Sequence, residues 1–523
     1  MKRILFYIIL SILLVVCIVP LSSLAVSWAV VSSELWQHLW DYLLGNYFQN
    51  TISLAVLVCS ATLIVGGLSA FLVEFYEFPL RGFFSYAFYV PLIFPPYVLG
   101  FIYLGLSESL SNANHSFSVS GLTGACLSLT VGLFPYVYLF GKLGFEQLGS
   151  RALEVGKSMG LGFLASLRKI VIPMTLPWFA SGVLLVLLEV LADFGTVSIF
   201  SVDTFSVGIF KTWYGFFDIR GASQLSSLLL VFALMVFLLK KKVDAKQNTS
   251  SKGKVPVKKV VLTGYRSAGA VGFCLAVVAA SVFLPLFQLL FWVGETASFT
   301  AFAAILDEAV NTFWLGLWVS IIVVLVAVTA AELNRQLRGP KIAETLIRLP
   351  SIGYAVPGAV LAVAVYLPSM AGIEFLESSS SLDLGFLRGG IAIMLFGLFL
   401  RFYAVGFSSI KEKYDSLSQS LDEASHSLGV TGGSLFRKVR FPLLYRPILF
   451  SALFTFVDTI KEMPLTLMTR PIGMDTLSVK IFEWTSEGEW EKAALPSLAI
   501  VLIGVIPIFY MAAREERGGK ARG

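Results

Sequence analysis

The sequence predicts an all-α integral membrane protein, with about twelve transmembrane helices arranged as two parallel six-helix repeats. Three observations predict it. Hydrophobic residues make up 57% of the 523-residue chain and charged residues 14%, and the apolar residues fall in long unbroken runs that a soluble protein could not hide. About twelve of these runs have the roughly 20 residues that a bilayer core requires. One polar stretch between runs, Glu154 to Pro177, returns in the second half as Glu423 to Pro447, in step from its glutamate to Pro173 and Pro442.

The chain opens with Met1-Lys2-Arg3 and an apolar run to about Val31, far longer than the roughly 7 to 15 residues of a cleavable signal core, so it reads as a retained first helix. The spans follow at 4–31, 51–74, 83–106, 121–141, 177–199 and 222–240, then at 267–293, 311–333, 346–367, 389–410, 447–468 and 493–513. With the first residue inside, the alternate loops on the far side hold about six of the 39 lysines and arginines. This asymmetry places both termini and both duplicated stretches in the cytoplasm. The formal charge of +6 therefore reports topology, and no nucleic-acid partner is implied.

The expected organisation is a first repeat at 1–240, a lysine-rich linker at 241–266 and a second repeat at 267–523, with the duplicated loops at 142–176 and 411–446. The linker region is polar and without periodicity, which suits a solvated connection beside membrane lipid. Other strings repeat in matching places. Asn50-Thr51 and Asn311-Thr312 open spans two and eight, and DTFSVGIF from Asp203 returns as DTLSVKIF from Asp475, each followed by a tryptophan, Trp213 or Trp484, where an interfacial anchor is expected. Pro91, Pro95 and Pro96 in span three and Pro350 and Pro357 in span nine free backbone carbonyls that lipid cannot satisfy, which argues that these helices pack inside the bundle.

Each duplicated loop reads as a short helix, a glycine turn and a second short helix with a basic face, Arg168-Lys169 or Arg437-Lys438. The shared pattern is Glu154, Gly160, Ile170 and Pro173 in the first copy and Glu423, Gly429, Val439 and Pro442 in the second. An ordinary basic loop is the plain alternative for one copy, and the repetition argues against it.

Charged side chains inside spans five and eleven form the other candidate site. Glu189 and Asp193 are four apart, as are Asp458 and Glu462, so each pair is expected on one helical face. Carboxylates in hydrocarbon must face protein or water. Two readings stay open: the four converge on a pathway whose oxygens suit a hard cation, or Lys461 neutralises part of the group and it only locks helices. The four cysteines, Cys17, Cys59, Cys126 and Cys274, have neither metal nor disulfide spacing. Gly156-Lys157-Ser158 imitates a phosphate loop, but Arg151 stands where the upstream glycine belongs and no strand precedes it. No catalytic motif is present, so an enzyme is not expected.

The duplicated stretch resembles the EAA loop of ABC importer permeases, the element that family inserts into its ATPase. The first copy departs from the motif with Val155-Gly156 after its glutamate, while the second reads Glu423-Ala424-Ser425. ADFGT at Ala192 to Thr196 and KEMPLTL at Lys461 to Leu467, with the DTFSVGIF and DTLSVKIF strings, are similar to the fused permeases of ferric-iron importers over nearly the whole chain. The resemblance implies a type I importer permease fold in a bacterial inner membrane and contact of the two loops with two copies of a separate ATPase, which would hold the ATP and magnesium. It also implies a periplasmic or lipid-anchored solute-binding protein. Fused permeases for thiamine and other small solutes share this architecture. A secondary carrier of the major facilitator type has twelve spans too, but its long basic loops follow spans two and eight, and here the long loops follow spans four and ten.

Overall fold

The computed structural model describes residues 2–520 except 113–118, 249–258, 297, 338–340, 380–382 and 389–390; side chains at 2, 3, 5, 111–112, 148–151, 248, 299, 341, 386 and beyond Val505 are also outside the description. Long helices dominate. Helix α1 spans Lys2–Val26, α2 Leu44–Phe75, α3 Pro96–Asn112, α4 Gly121–Ser158 and α5 Ile172–Ala192. A short α6, Gly195–Ile199, precedes α7, Ile219–Asn248. The second half has α8 Gly264–Val278, α9 Leu284–Thr296, α10 Leu306–Leu337, α11 Gly358–Ser379, α12 Ile391–Ser416, α13 Gln419–Ser427, α14 Phe441–Lys461, a short α15 Pro464–Thr469, and α16 Trp490–Lys520.

Among the described residues ten helical runs are long and apolar enough to cross a membrane, or eleven if a bent pair counts as one span. That pair, Arg81–Ile93 and Pro96–Leu110, turns by 92° at the Pro95-Pro96 break, sharper than a kink. The twelfth expected span coincides with α16, only part of which has described side chains. The chain is a multi-pass, helical membrane protein. Cys17 and Cys274 are buried, and all four cysteines are free thiols.

The chain forms two compact units that do not follow the two halves of the sequence. One comprises residues 37–208, 229–298 and 483–523; the other comprises 1–36, 209–228 and 299–482. Each unit thus holds the opening helix of one half with the body of the other.

The same three-helix core recurs in both. In the first-named unit α2, α4 and α5 pack on one another, and in the second α10, α12 and α14 do. Small residues permit the approach: a side chain on Gly66 would place its Cβ 2.7 Å from the Phe134 carbonyl oxygen. The repeated strings meet physically. Asn50 donates to the Asp203 carbonyl at 3.0 Å and Asn311 to that of Asp475 at 3.1 Å. Thr51 accepts the Phe205 amide at 3.2 Å, and Thr312 that of Leu477 at 2.8 Å.

Three expectations change. The polar linker begins later than residue 241, because α7 continues to Asn248: Lys240 pairs with Asp244 one turn on at 2.7 Å, Ser181 donates to Asp244 at 2.6 Å, and Gln247 donates to the Pro177 carbonyl at 3.0 Å. Further on, Val260–Val261 (β2) pairs in parallel with Tyr76–Glu77 (β1). The second short helix of each duplicated loop is not separate but runs into the following span, giving continuous helix over Phe163–Ala192 and Gly432–Lys461. A π turn, Leu167–Val171 or Phe436–Arg440, lies just before Pro173 or Pro442, and its wider winding accommodates the proline. Finally, α5 ends at Ala192 and α14 at Lys461, so Asp193 and Glu462 lie on extended backbone past the helix and do not continue the faces of Glu189 and Asp458.

Candidate functional site

The duplicated loops have the same backbone geometry. Gly160 and Gly429 adopt φ of +72° and +74°, the left-handed conformation that ends a helix. Around them the Gly160 and Leu161 amides donate to the Lys157 and Gly156 carbonyls, both at 2.9 Å, and the Gly429 and Val430 amides donate to those of His426 and Ser425, also at 2.9 Å. This is the Schellman arrangement, satisfying carbonyls that the helix end leaves free. A Cβ at either glycine would meet nothing within 4 Å, so the conformation and not crowding demands glycine.

Glu154, Pro173, Glu423, Ala424 and Pro442 are exposed, as are both glycines, while Ile170 and Val439 are half-buried. Apolar side chains stand out beside them: Val155, Met159 and Leu164 on the first loop and Leu428 on the second. The basic residues Arg168, Lys169, Arg437 and Lys438 lie exposed on the π turns.

The loops are anchored by different chemistry. Beneath the first, Phe75 packs edge-on to Phe145 with ring centroids 5.0 Å apart, Phe145 packs on Phe179 at 5.3 Å, and Phe75 reaches Phe163 at 6.2 Å. Beneath the second lies a buried ionic cluster. Asp422 accepts Arg335 at 2.8 Å and Arg440 at 3.0 Å; Arg440 also pairs with Glu332, which takes the Tyr414 hydroxyl at 2.8 Å. Burial raises the Asp422 pKa, but hydrogen bonds and charge from Arg335 and Arg440 outweigh it and hold the carboxyl below its ordinary value. Sequence reasoning missed these residues. The available signal was Arg440, a charge where the first copy has Val171.

The charged residues at the ends of spans five and eleven have structural partners. Asp193 accepts the Val197 amide at 3.0 Å and the Thr196 hydroxyl at 2.9 Å, capping α6. Glu462 accepts the Leu465 and Thr466 amides at 3.2 and 3.1 Å, capping α15. Ser206 and Ser478 donate to the carbonyls of these two acids at 2.6 and 2.9 Å. Arg401 lies 3.7 Å from Glu462 and donates to the Val356 carbonyl, which the break before Pro357 frees. Glu189 and Asp458 are half-buried on α5 and α14, in different compact units. Among the described residues no group of three or more His, Cys, Asp or Glu side chains is placed to hold a metal ion.

Comparison with known proteins adds to this geometry. Residues 322–517, which include the second loop and its ionic cluster, match the family described as "Binding-protein-dependent transport system inner membrane component". The second half carries a binding-protein-dependent transport permease domain. The relatives are permeases too. The chain is 25% identical, over 90% of both sequences, to the Fe(3+)-transport system permease protein FbpB 2 of Haemophilus influenzae. It is 22% identical to the ferric transport system permease protein FbpB of Actinobacillus pleuropneumoniae, covering 80% of this chain and 64% of that one. A third, the putative 2-aminoethylphosphonate transport system permease protein PhnV of Salmonella typhimurium, is 29% identical over 42% of this chain and 76% of its own length. The chain is thus similar to transport permeases and shares their multi-span helical character.

Proposed function

We propose that the chain is the membrane permease subunit of an ABC importer that carries ferric iron from a solute-binding protein on the outer face of the inner membrane to the cytoplasm. The observation that carries this reading is the pair of loops: each ends one helix in a left-handed glycine, presents an exposed glutamate and exposed apolar side chains, and then enters a membrane span without a break. Two such surfaces of one design suit two copies of one motor. In this reading both loops and both termini are cytoplasmic, each loop enters a cleft of a separate ATPase, and Glu154 and Glu423 help to seat it. The ATP and magnesium sites belong to that ATPase.

Mechanically, the continuous helices 163–192 and 432–461 matter most. A force on an exposed loop is transmitted along one continuous helix to the acid-capped breaks at Asp193 and Glu462. ATP-driven closure of the ATPase pair moves both loops together and rocks the bundle to expose the pathway outward; hydrolysis resets it inward. The chain contributes geometry and no bond chemistry. Of the four carboxylates in spans five and eleven, this reading assigns Glu189 and Asp458 to the pathway, since Asp193 and Glu462 already cap helices.

Ferric iron is favoured by the two Haemophilus and Actinobacillus relatives, which this chain overlaps over most of its length. The phosphonate relative supplies a specific competitor. The test is reconstitution in vesicles with its ATPase and solute-binding protein, measuring ATP-dependent uptake of labelled ferric iron and of labelled 2-aminoethylphosphonate. Iron uptake that needs both partners supports the reading. Uptake of the phosphonate alone overturns the cargo, and uptake without ATPase overturns the class.

A further inference from the structure

The two loops differ in how they leave the bundle. Helix α4 runs unbroken from Gly121 through Glu154 to Ser158, whereas the matching stretch is interrupted: α12 stops at Ser416 and α13 starts at Gln419. The stretch from Tyr403 to Glu423 is four residues longer than that from Tyr138 to Glu154. Tyr138 and Tyr403 are matched by structure, each donating its hydroxyl to a backbone carbonyl of the preceding segment, that of Ser85 at 3.0 Å or of Ile347 at 3.1 Å. The second loop helix is therefore a separate nine-residue piece, too short to hold its conformation alone.

Charged groups hold it. Arg335, near the end of α10, donates to the carbonyls of Tyr414, Leu417 and Ser418 at 2.7, 3.1 and 2.9 Å, which flank the break. Its Nε meets one Asp422 oxygen at 2.8 Å, and Arg440 meets the other at 3.0 Å. Asp422 thus ties α13 both to α10 and to the π turn that starts the next span. The first loop has Leu153 and Val171 at the matching places and rests on aromatic rings.

We propose that Asp422, clamped between Arg335 and Arg440, is the positioning residue that sets the second loop helix for its partner, so that one loop of this permease is held by helix continuity and apolar packing and the other by an ionic latch. The consequence for ATPase engagement rests on the importer function proposed for the chain; the latch itself does not. Its effect is local, because Asp422 touches no pathway residue.

The test uses the full-length protein in lipid nanodiscs and compares amide hydrogen exchange in Gln419–Ser427 with exchange in residues 152–158. Asp422→Asn is expected to speed exchange in the first segment by about ten-fold or more, ten-fold being about 1.4 kcal/mol of local stability, and to leave the second unchanged. Asp422→Glu is expected to recover part of the protection. Unchanged exchange in 419–427, or equal acceleration in both segments, overturns the latch. If Asp422→Asn does not insert, Arg440→Lys gives the same readout, with a smaller acceleration confined to the same segment. A second measurement places single cysteines at Met159 and Leu428 and cross-links them to the partner ATPase. Loss of the Leu428 product alone in Asp422→Asn supports the latch, and equal yields at both sites overturn it. No product at either site with Asp422 intact overturns the ATPase reading of the loops, while the exchange data still decide the latch.

Discussion

Replacing Gly160 separates two reasons a glycine can be required. Its φ of +72° lies where an L side chain collides with its own backbone, yet a Cβ there would meet no other atom within 4 Å. Strain is thus the whole effect, about 1–2 kcal/mol for an ordinary residue, more for a β-branched one and less for asparagine. Working from 1–2 kcal/mol, the correctly turned loop falls in population by a factor of about 5–30 relative to competing conformations. The assay is co-purification of the ATPase with membrane-inserted Gly160→Asn, Gly160→Ala and Gly160→Val variants. Association should fall in the order Gly, Asn, Ala, Val. An order by side-chain size, with Ala ahead of Asn, would refute the conformational argument, and unchanged association for Val would remove this turn from the coupling surface.

Three further outcomes are expected. Asp193→Ala removes one helix cap and should cost about 0.5–2 kcal/mol, whereas Glu462→Ala also strips the charged partner from Arg401 and should cost more, about 3–5 kcal/mol; thermal unfolding in detergent checks the ranking, and equal losses would contradict it. Gly353→Ala would place a Cβ 2.2 Å from the Leu400 carbonyl oxygen and should destabilise by about 1–3 kcal/mol, while Gly433→Ala, with nothing within 4 Å, should stay within about 0.5 kcal/mol of the parent in the same measurement. Because the folded Asp422 carboxyl titrates below its ordinary 3.8, its stabilising contribution is fully present above that value and is lost only as pH falls through the lower folded value. Exchange protection of Gln419–Ser427, corrected for intrinsic rates, should therefore be flat from about pH 8 to 5; a loss within that window would point to another titrating group.

Much of the candidate site was legible because it is local. A left-handed turn that only glycine adopts without strain, and a proline close behind a π turn, depend on residues a few positions away, and so Gly160, Pro173, Gly429 and Pro442 stand where their spacing placed them. The spans were legible for a related reason: in lipid a chain must satisfy its own amides, and unbroken apolar length is sufficient evidence of helix. The acids illustrate the limit. A four-residue spacing predicts a shared helical face only while the helix lasts, and nothing in the spacing announced that α5 would stop at Ala192 and α14 at Lys461, leaving Asp193 and Glu462 to cap α6 and α15.

The sequence by itself determined that the chain lives in a membrane and that one loop design is used twice, because hydrophobic length and backbone conformation are properties of neighbouring residues. Only the tertiary structure decided which helices share a compact unit, with residues 1–36 grouped with 299–482, and that Asp422 meets Arg335 and Arg440 where the other loop has an aromatic floor. Those outcomes depend on partners scores of residues away, and the free energy of burying a charge or a helix face is set by whichever surface arrives opposite it.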